Sequence, residues 1–226
     1  MTAGAGVQAT IGFGANLVSV PVLAIVQPGA VPATATMMAL PLALAMATRE
    51  ADHVDWPGVR WLMVGRLPGT ALGAIVVATV ATSTLSVVTG VGVLIAVALS
   101  AASLTVPLTP PAIAATGLAS GTLGTATSIG GPPLALLYQH HEGRILRSTL
   151  AVTIGIGTVV SLIALLVARA VAGWQVVLAA ALLPGVLTGF LCGRAVAGRV
   201  DGRWLRPAVL AFASLSALVA IARGLG

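Results

Sequence analysis

The chain has 226 residues, of which 58% are hydrophobic and 7% charged, with a mean hydropathy of +1.09, against roughly 25% charged residues in an ordinary soluble domain. That balance identifies a polytopic membrane protein, whose first partner is the lipid bilayer. The formal charge of +6 comes from eleven arginines, no lysine and five acids; no basic run sits among aromatic residues on a soluble module, so the arginines read as topology signals and no nucleic-acid partner is expected.

Met1-Thr2-Ala3-Gly4 carries no side-chain charge ahead of the first apolar residues, which argues against a cleaved signal peptide and makes residue 1 the expected mature start. Apolar segments fall at about 3–27, 31–48, 57–80, 84–104, 112–138, 148–168, 174–193 and 205–222, most of them near the ~20 residues that span ~30 Å of hydrocarbon. Pro28, Pro32, Pro57 and Pro207 mark segment boundaries, whereas Pro41, Pro68 and Pro184 lie inside segments and are expected to kink them. Trp56, Trp61, Trp174 and Trp204 stand near segment ends, where interfacial anchors belong.

Two segments cannot be continuous helices. In 112–138 the run Thr127-Ser128-Ile129-Gly130-Gly131-Pro132-Pro133 sets two glycines before two prolines, and proline lacks the N–H and clashes with the preceding turn. A weaker counterpart, Gly12-Phe13-Gly14-Ala15-Asn16 followed by Ser19 and Pro21, lies in the first segment. Unwound backbone at membrane depth is tolerated where it is buried in protein or lines a cavity, so paired breaks point to a binding site.

The chain also repeats. Leu67-Pro68-Gly69-Thr70-Ala71-Leu72-Gly73 recurs as Leu183-Pro184-Gly185-Val186-Leu187-Thr188-Gly189 at an offset of 116 residues, Trp56 matches Trp174 at 118, and Gly14 matches Gly131 at 117. Residues 1–104 and 112–226 are therefore read as two four-segment transmembrane repeats joined by the proline-rich linker 105–111. If all eight segments cross, Arg49, Arg60, Arg169 and Arg223 face Arg144, Arg147, Arg194, Arg199, Arg203 and Arg206 across the bilayer, which is hardly a bias. If 3–27 and 112–138 instead enter, break and return, three full crossings remain per half and the halves are inverted. Arg49, Arg60, Arg144, Arg147, Arg194, Arg199, Arg203 and Arg206 then share one side, against Arg169 and Arg223. Only eleven residues precede Gly12, about 17 Å of helix and so a half-span. The expectation is an all-α protein of two inverted repeats, each with one broken or re-entrant hairpin and three transmembrane helices, with both termini outside.

The candidate substrate-binding residues are Gly12, Gly14, Asn16, Ser19, Arg66, Thr127, Ser128, Gly130 and Gly131. A broken helix leaves free N–H groups and a positive dipole end toward a cavity, which suits an anion; Thr127, Ser128, Asn16 and Ser19 would add neutral donors. Small residues also let helices pack closely, and Asn16 is equally suited to capping the break. Arg66 lies ten residues past Trp56, about 15 Å along a helix. It either snorkels to an interface or meets backbone carbonyls or an anion at depth. His140 and His141 read as an interfacial loop, with proton coupling as the alternative, and Cys192 reads as a packing residue. One cysteine excludes an internal disulfide or thiolate metal cluster; no metal or cofactor is expected. Glu50, Asp52, Asp55, Glu142 and Asp201 fall in loops or at segment ends, so no carboxylate relay is placed at depth.

These features resemble the sulfite exporter TauE/SafE family of bacterial transporters over nearly the whole chain. The resemblance rests on Gly12-Phe13-Gly14 leading to Pro21, on Gly117-Leu118-Ala119-Ser120-Gly121 leading to Gly130-Gly131-Pro132-Pro133, and on Val54-Asp55-Trp56 leading into Leu67-Pro68-Gly69 and Gly73. It implies a multi-pass protein of the bacterial plasma (inner) membrane that moves small sulfur-containing or organic anions such as sulfite, sulfonates or sulfoacetate-like compounds. The competing readings are a channel-like anion pore, and a membrane enzyme or non-transport assembly factor. No Walker-type loop, carboxylate pair or Ser/His/Asp set supports an enzyme. The substrate is a small anion on the leading reading, and a homo-oligomer is left open. The topology has a direct check: in a Cys192→Ala background, cysteines placed at Ala51 and Gly143 should both resist an impermeant thiol reagent in whole cells, whereas labelling of one but not the other would restore eight crossings.

Overall fold

A computed structural model describes residues 15–49, 51–102, 104–196 and 202–225, and every described element is a helix. In chain order these are α1 (Ala15–Val26), α2 (Ala33–Arg49), α3 (Trp56–Thr79), α4 (Thr82–Ala101), α5 (Pro110–Thr127), α6 (Gly131–Tyr138), α7 (Gly143–Val167), α8 (Gly173–Val196) and α9 (Gly202–Leu225). Short 3-10 turns at Pro28–Ala30 and Ala51–His53 flank α2. Local chemistry sets several boundaries. Asp55 caps α3, its carboxylate accepting from the Gly58 N–H at 3.1 Å; Pro110 and Pro111 open α5 where no N–H is needed. Ser128 ends α5 in the left-handed region, with φ 61°.

Five helices are long and apolar enough to cross a bilayer: Trp56–Thr79, Thr84–Ala101, Gly143–Val167, Gly173–Cys192 and Pro207–Leu225. Of the six crossings expected, the remaining one, α2, is a shorter apolar helix of 17 residues, roughly 25 Å long. Pro207 lies inside α9, which begins five residues before it at Gly202, so that proline is no boundary. Likewise α7 starts at Gly143 rather than near 148, because the charged turn holding Arg144 and Arg147 is already helical. Of the first segment, residues 1–14 lie outside the described residues; Asn16, Ser19 and Pro21 sit within α1 rather than in a break.

Burial departs from that of a soluble protein, although an apolar core including Leu17, Val20, Val93 and Phe190 is also present. Leu67, Ile75, Ile163, Leu166, Val177, Leu191 and Leu215 are exposed, while Arg66, Thr70, Ser120, Thr125, Thr149 and Ser161 are buried. Large apolar side chains face outward because hydrocarbon is their solvent, and small or polar residues meet between helices. The tightest contact joins α3 and α5, which run parallel. Gly65 abuts Ala114, Gly69 abuts Leu118, and Gly73 abuts Thr122, while from the other side Gly117 abuts Leu62 and Gly121 abuts Arg66. A side chain at Gly65, Gly69, Gly117 or Gly121 would overlap the backbone of the facing helix, so these small residues at four-residue spacing let two backbones touch.

The hairpin α5–α6 turns back at Ser128-Ile129-Gly130. Gly130 returns beside Ser120 and Gly124, and Tyr138 at the end of α6 donates to Asp55 at the start of α3, 2.7 Å away. Gln139 donates to the Leu104 carbonyl just ahead of α5. Both arms therefore open at the same end of the molecule. Elsewhere α2 and α7 lie antiparallel, Thr149 receiving the Asp55 N–H at 3.1 Å while Gly155 packs on Ala43 and Ala47. At the opposite end of α2, Gln175 of α8 donates to the Gly29 carbonyl and accepts from Thr34 at 3.2 Å. Helix α4 packs on α9 and α6, α3 on α7, α2 on α8, and α1 on α9. Gly69→Leu or Gly121→Leu should push α3 from α5 and cost about 1–3 kcal/mol or more by overpacking, read as an earlier thermal unfolding midpoint in detergent. Gly173→Leu, which faces open space, should match wild type; equal midpoints for all three would remove the close contact.

Candidate functional site

A cavity of about 70 Å³ lies where α1, α2, α3, the α5–α6 tip and α7 converge, roughly the share of two liquid waters at ~30 Å³ each. Its lining includes Asn16, Thr36, Arg66, Ser128, Gly130 and Gly131, and Arg66 is the one ionisable residue in it among the described residues. The start of α6 borders it, so a positive dipole end and one cation meet there.

Arg66 is 3% exposed and ten residues into α3, which rules out snorkelling to an interface. Its Nη1 donates to Ser120 Oγ at 2.6 Å, and that hydroxyl donates to the Gly130 carbonyl at 2.6 Å. Its Nε is buried without a hydrogen-bond partner. The guanidinium rests on the backbone of Gly157 in α7, where any side chain would collide with it, and beside Gly124 of α5. Asp52, Asp55 and Glu142 all lie at helix ends or in turns, so Arg66 has no carboxylate partner among the described residues. A buried cation of this kind is costly unless something neutralises it.

The hairpin tip is tied to the first half of the chain. Asn16 Nδ2 donates to the Ser128 carbonyl at 2.6 Å. Ser128 Oγ lies 2.9 Å from the Pro32 carbonyl and 2.7 Å from Thr36 Oγ1; having a single proton, it donates to Pro32 and accepts from Thr36. Its hydroxyl is thus engaged in holding the tip. Asn16 likewise bridges α1 to the tip.

The structure gathers Asn16, Arg66, Ser128, Gly130 and Gly131 at one cavity. Thr127 does not join them: its hydroxyl donates back to Leu123 O at 2.7 Å and its methyl packs on Gly92. Ser19 is buried but off the lining, one helical turn beyond Asn16. Gly12 and Gly14 lie outside the described residues. Sequence reasoning missed Ser120, Gly124 and Gly157. The signal for Ser120 was its place between Gly117 and Gly121, on the face that meets Arg66; nothing local marks Gly157, whose partner is 91 positions away in the chain. His140 and His141 are exposed beyond α6, with His141 edge-on to Tyr138 at 5.4 Å. Cys192 is exposed on α8, so it is not an interior packing residue. No group of three or more potential metal ligands occurs among the described residues.

Removing the Ser128 hydroxyl should destabilise the tip. Ser128→Ala leaves the Thr36 hydroxyl without its partner, while the Pro32 carbonyl keeps the Thr36 N–H at 2.9 Å, and should cost about 1–3 kcal/mol; Thr36→Val in that background should add little because the bond is shared. Unaltered thermal unfolding of Ser128→Ala would show the tether to be dispensable.

No curated protein sequence and no solved structure matches the chain significantly. A family model described as Sulfite exporter TauE/SafE matches residues 1–220, nearly the full length and including Arg66 and the α5–α6 hairpin. With its outward apolar helices, the chain belongs to the sulfite exporter TauE/SafE family of membrane transporters.

Proposed function

We propose that the protein carries a small anion through the cavity at Arg66, with Asn16, Ser128, Gly130 and Gly131 around it. The observation that carries this reading is the buried guanidinium of Arg66, which among the described residues lines a cavity with no acid in it and keeps Nε without a partner. An anion supplies the missing negative charge, and the start of α6 favours the same sign. The cavity's size suits a compact oxyanion, and the family description makes sulfite and small sulfonates the first substrates to try.

The carrier reading includes inverted halves, residues 1–104 and 112–226, exposed alternately to the two sides. Several contacts support it. Helices α2 and α7, second in their halves, are antiparallel, and α3 and α8 begin at opposite ends of α2. Packing of α3 on α7 has its mate in α8 on α2, and α4 on α6 has its mate in α1 on α9. The Tyr138–Asp55–Thr149 set at one end corresponds to Gly29–Gln175–Thr34 at the other. Arg60, Arg144 and Arg147 lie on helix starts at the Asp55 end, whereas Arg223 reaches the Ile25 carbonyl at the Gly29 end. The positive-inside rule then assigns the Asp55 end to the cytoplasm and both termini to the outside of a bacterial inner membrane.

The test is flux in proteoliposomes across sulfite, sulfonates and carboxylates. Saturable flux with counterflow supports a carrier, non-saturating flux a pore, and flux equal to protein-free vesicles an assembly role. Arg66→Ala should nearly stop anion flux at normal membrane levels, and Arg66→Lys should weaken apparent affinity because the ammonium keeps charge but loses the planar fork. Unchanged affinity in Arg66→Ala would leave the guanidinium a structural group and the anion site without its charge.

A further inference from the structure

We infer that Ser120 is the positioning residue of the anion site, joining its cation and its helix end through one hydroxyl; the inference rests on the anion reading of Arg66. Ser120 is fully buried on α5. Its oxygen accepts from Arg66 Nη1 and its only proton goes to the Gly130 carbonyl, both at 2.6 Å. One side chain therefore orients groups on two separate elements, α3 and the start of α6.

The second of those bonds matters because Gly130 and Gly131 precede two prolines. Pro132 and Pro133 have no N–H, so the first turn of α6 can offer an anion only the amides of Gly130 and Gly131, both of which border the cavity. In a planar trans peptide the carbonyl and the next N–H point in opposite directions. Holding the Gly130 carbonyl against Ser120 therefore fixes the direction of the Gly131 N–H, away from α5. The same hydroxyl holds one edge of the guanidinium while Gly157 and Gly124 supply its flat seat, leaving Nε unpartnered. Charge and amide are thus prearranged before an anion arrives, which lowers the ordering cost of binding.

The hydroxyls that line the cavity are already committed elsewhere. Thr125 and Ser161 satisfy each other at 2.8 Å, and Thr158 donates to Ile154 O at 2.7 Å. Ser128 is committed to Pro32 and Thr36. Removing the Ser120 hydroxyl unlinks Arg66 Nη1 from the Gly130 carbonyl, which is then held only as the first acceptor of α6.

The experiment is sulfite flux in proteoliposomes carrying Ser120→Ala, Ser120→Cys, Arg66→Lys and the double variant Ser120→Ala/Arg66→Lys, with Arg66→Ala alongside. Ser120→Ala should raise the half-saturating sulfite concentration about tenfold, the loss of one charge-assisted hydrogen bond, with maximal flux within about twofold. Ser120→Cys, a near-isosteric but weaker partner, should fall between it and wild type, and decides the question alone if Ser120→Ala does not fold. In the Arg66→Lys background, Ser120→Ala should cost much less than in wild type, because the relay is already broken. A purely structural serine would instead lower maximal flux and thermal midpoint together and would add independently to Arg66→Lys. Unchanged half-saturation in Ser120→Ala and Ser120→Cys, with flux lost in Arg66→Ala, overturns the relay and leaves the anion site standing. Unchanged half-saturation in Arg66→Ala as well overturns both.

Discussion

A guanidinium buried midway along a membrane helix, with no carboxylate to meet it among the described residues, is the constraint to which the rest of this structure answers. Transferring such a charge out of water costs several kcal/mol even after relaxation, and the bilayer offers no water to share the cost. The chain offsets part of it with what a low-charge sequence has available, a hydroxyl from Ser120, while the start of α6 adds to the positive field rather than relieving it. The remaining negative charge comes, on the proposed reading, from the transported anion. A site built this way holds its ligand by one full charge and several partial ones, so release does not require separating a fixed ion pair.

The seat of that guanidinium depends on glycine. Gly65, Gly69, Gly117 and Gly121 bring α3 and α5 into backbone contact, which sets Ser120 within reach of Arg66. Gly157 then leaves space for the guanidinium on α7. These positions lie on different helices, yet each acts by lacking a side chain. The outward faces carry Leu67, Ile75, Ile163 and Leu191 instead, because packing between membrane helices draws on close contact and buried polar bonds rather than on exclusion of water. The broken hairpin is stable for the same reason: its carbonyls at Ser128 and Gly130 are taken by Asn16 and Ser120, and free backbone groups at depth would each be expensive.

The two ends of the molecule differ in chemistry although their layouts correspond. Asp55 serves at once as cap of α3, acceptor for Tyr138 and neighbour of Thr149. At the other end Gln175, a neutral residue, spans Gly29, Thr34 and Ala172. Both sets link the region just beyond a short cavity helix to the start of a long one. On the proposed carrier reading these are the contacts that must exchange as the cavity opens first to one side and then to the other, and they are few and polar enough to break without unpacking the core.

The membrane class, the approximate positions of the long helices and the break at Ser128-Ile129-Gly130 were all legible in the amino-acid order, since they arise from local properties: apolar run length, arginine placement, and the inability of Gly-Gly-Pro-Pro to continue a helix. Arg66 stood out for a similar reason, as a charge inside an apolar run. The partner of that charge was not legible, because Ser120 and Gly157 look like ordinary small residues until α3, α5 and α7 are brought together. Thr127 and Ser128 are adjacent and chemically alike, yet one bonds its own helix and the other ties the hairpin to Pro32 and Thr36. Side-chain direction separates them, and direction is set by the left-handed residue that ends α5. Which small and hydroxyl residues face the cavity was settled by tertiary contact alone, because in a chain so rich in glycine, serine and threonine composition is nearly uniform, and helix register and close backbone contact do the selecting.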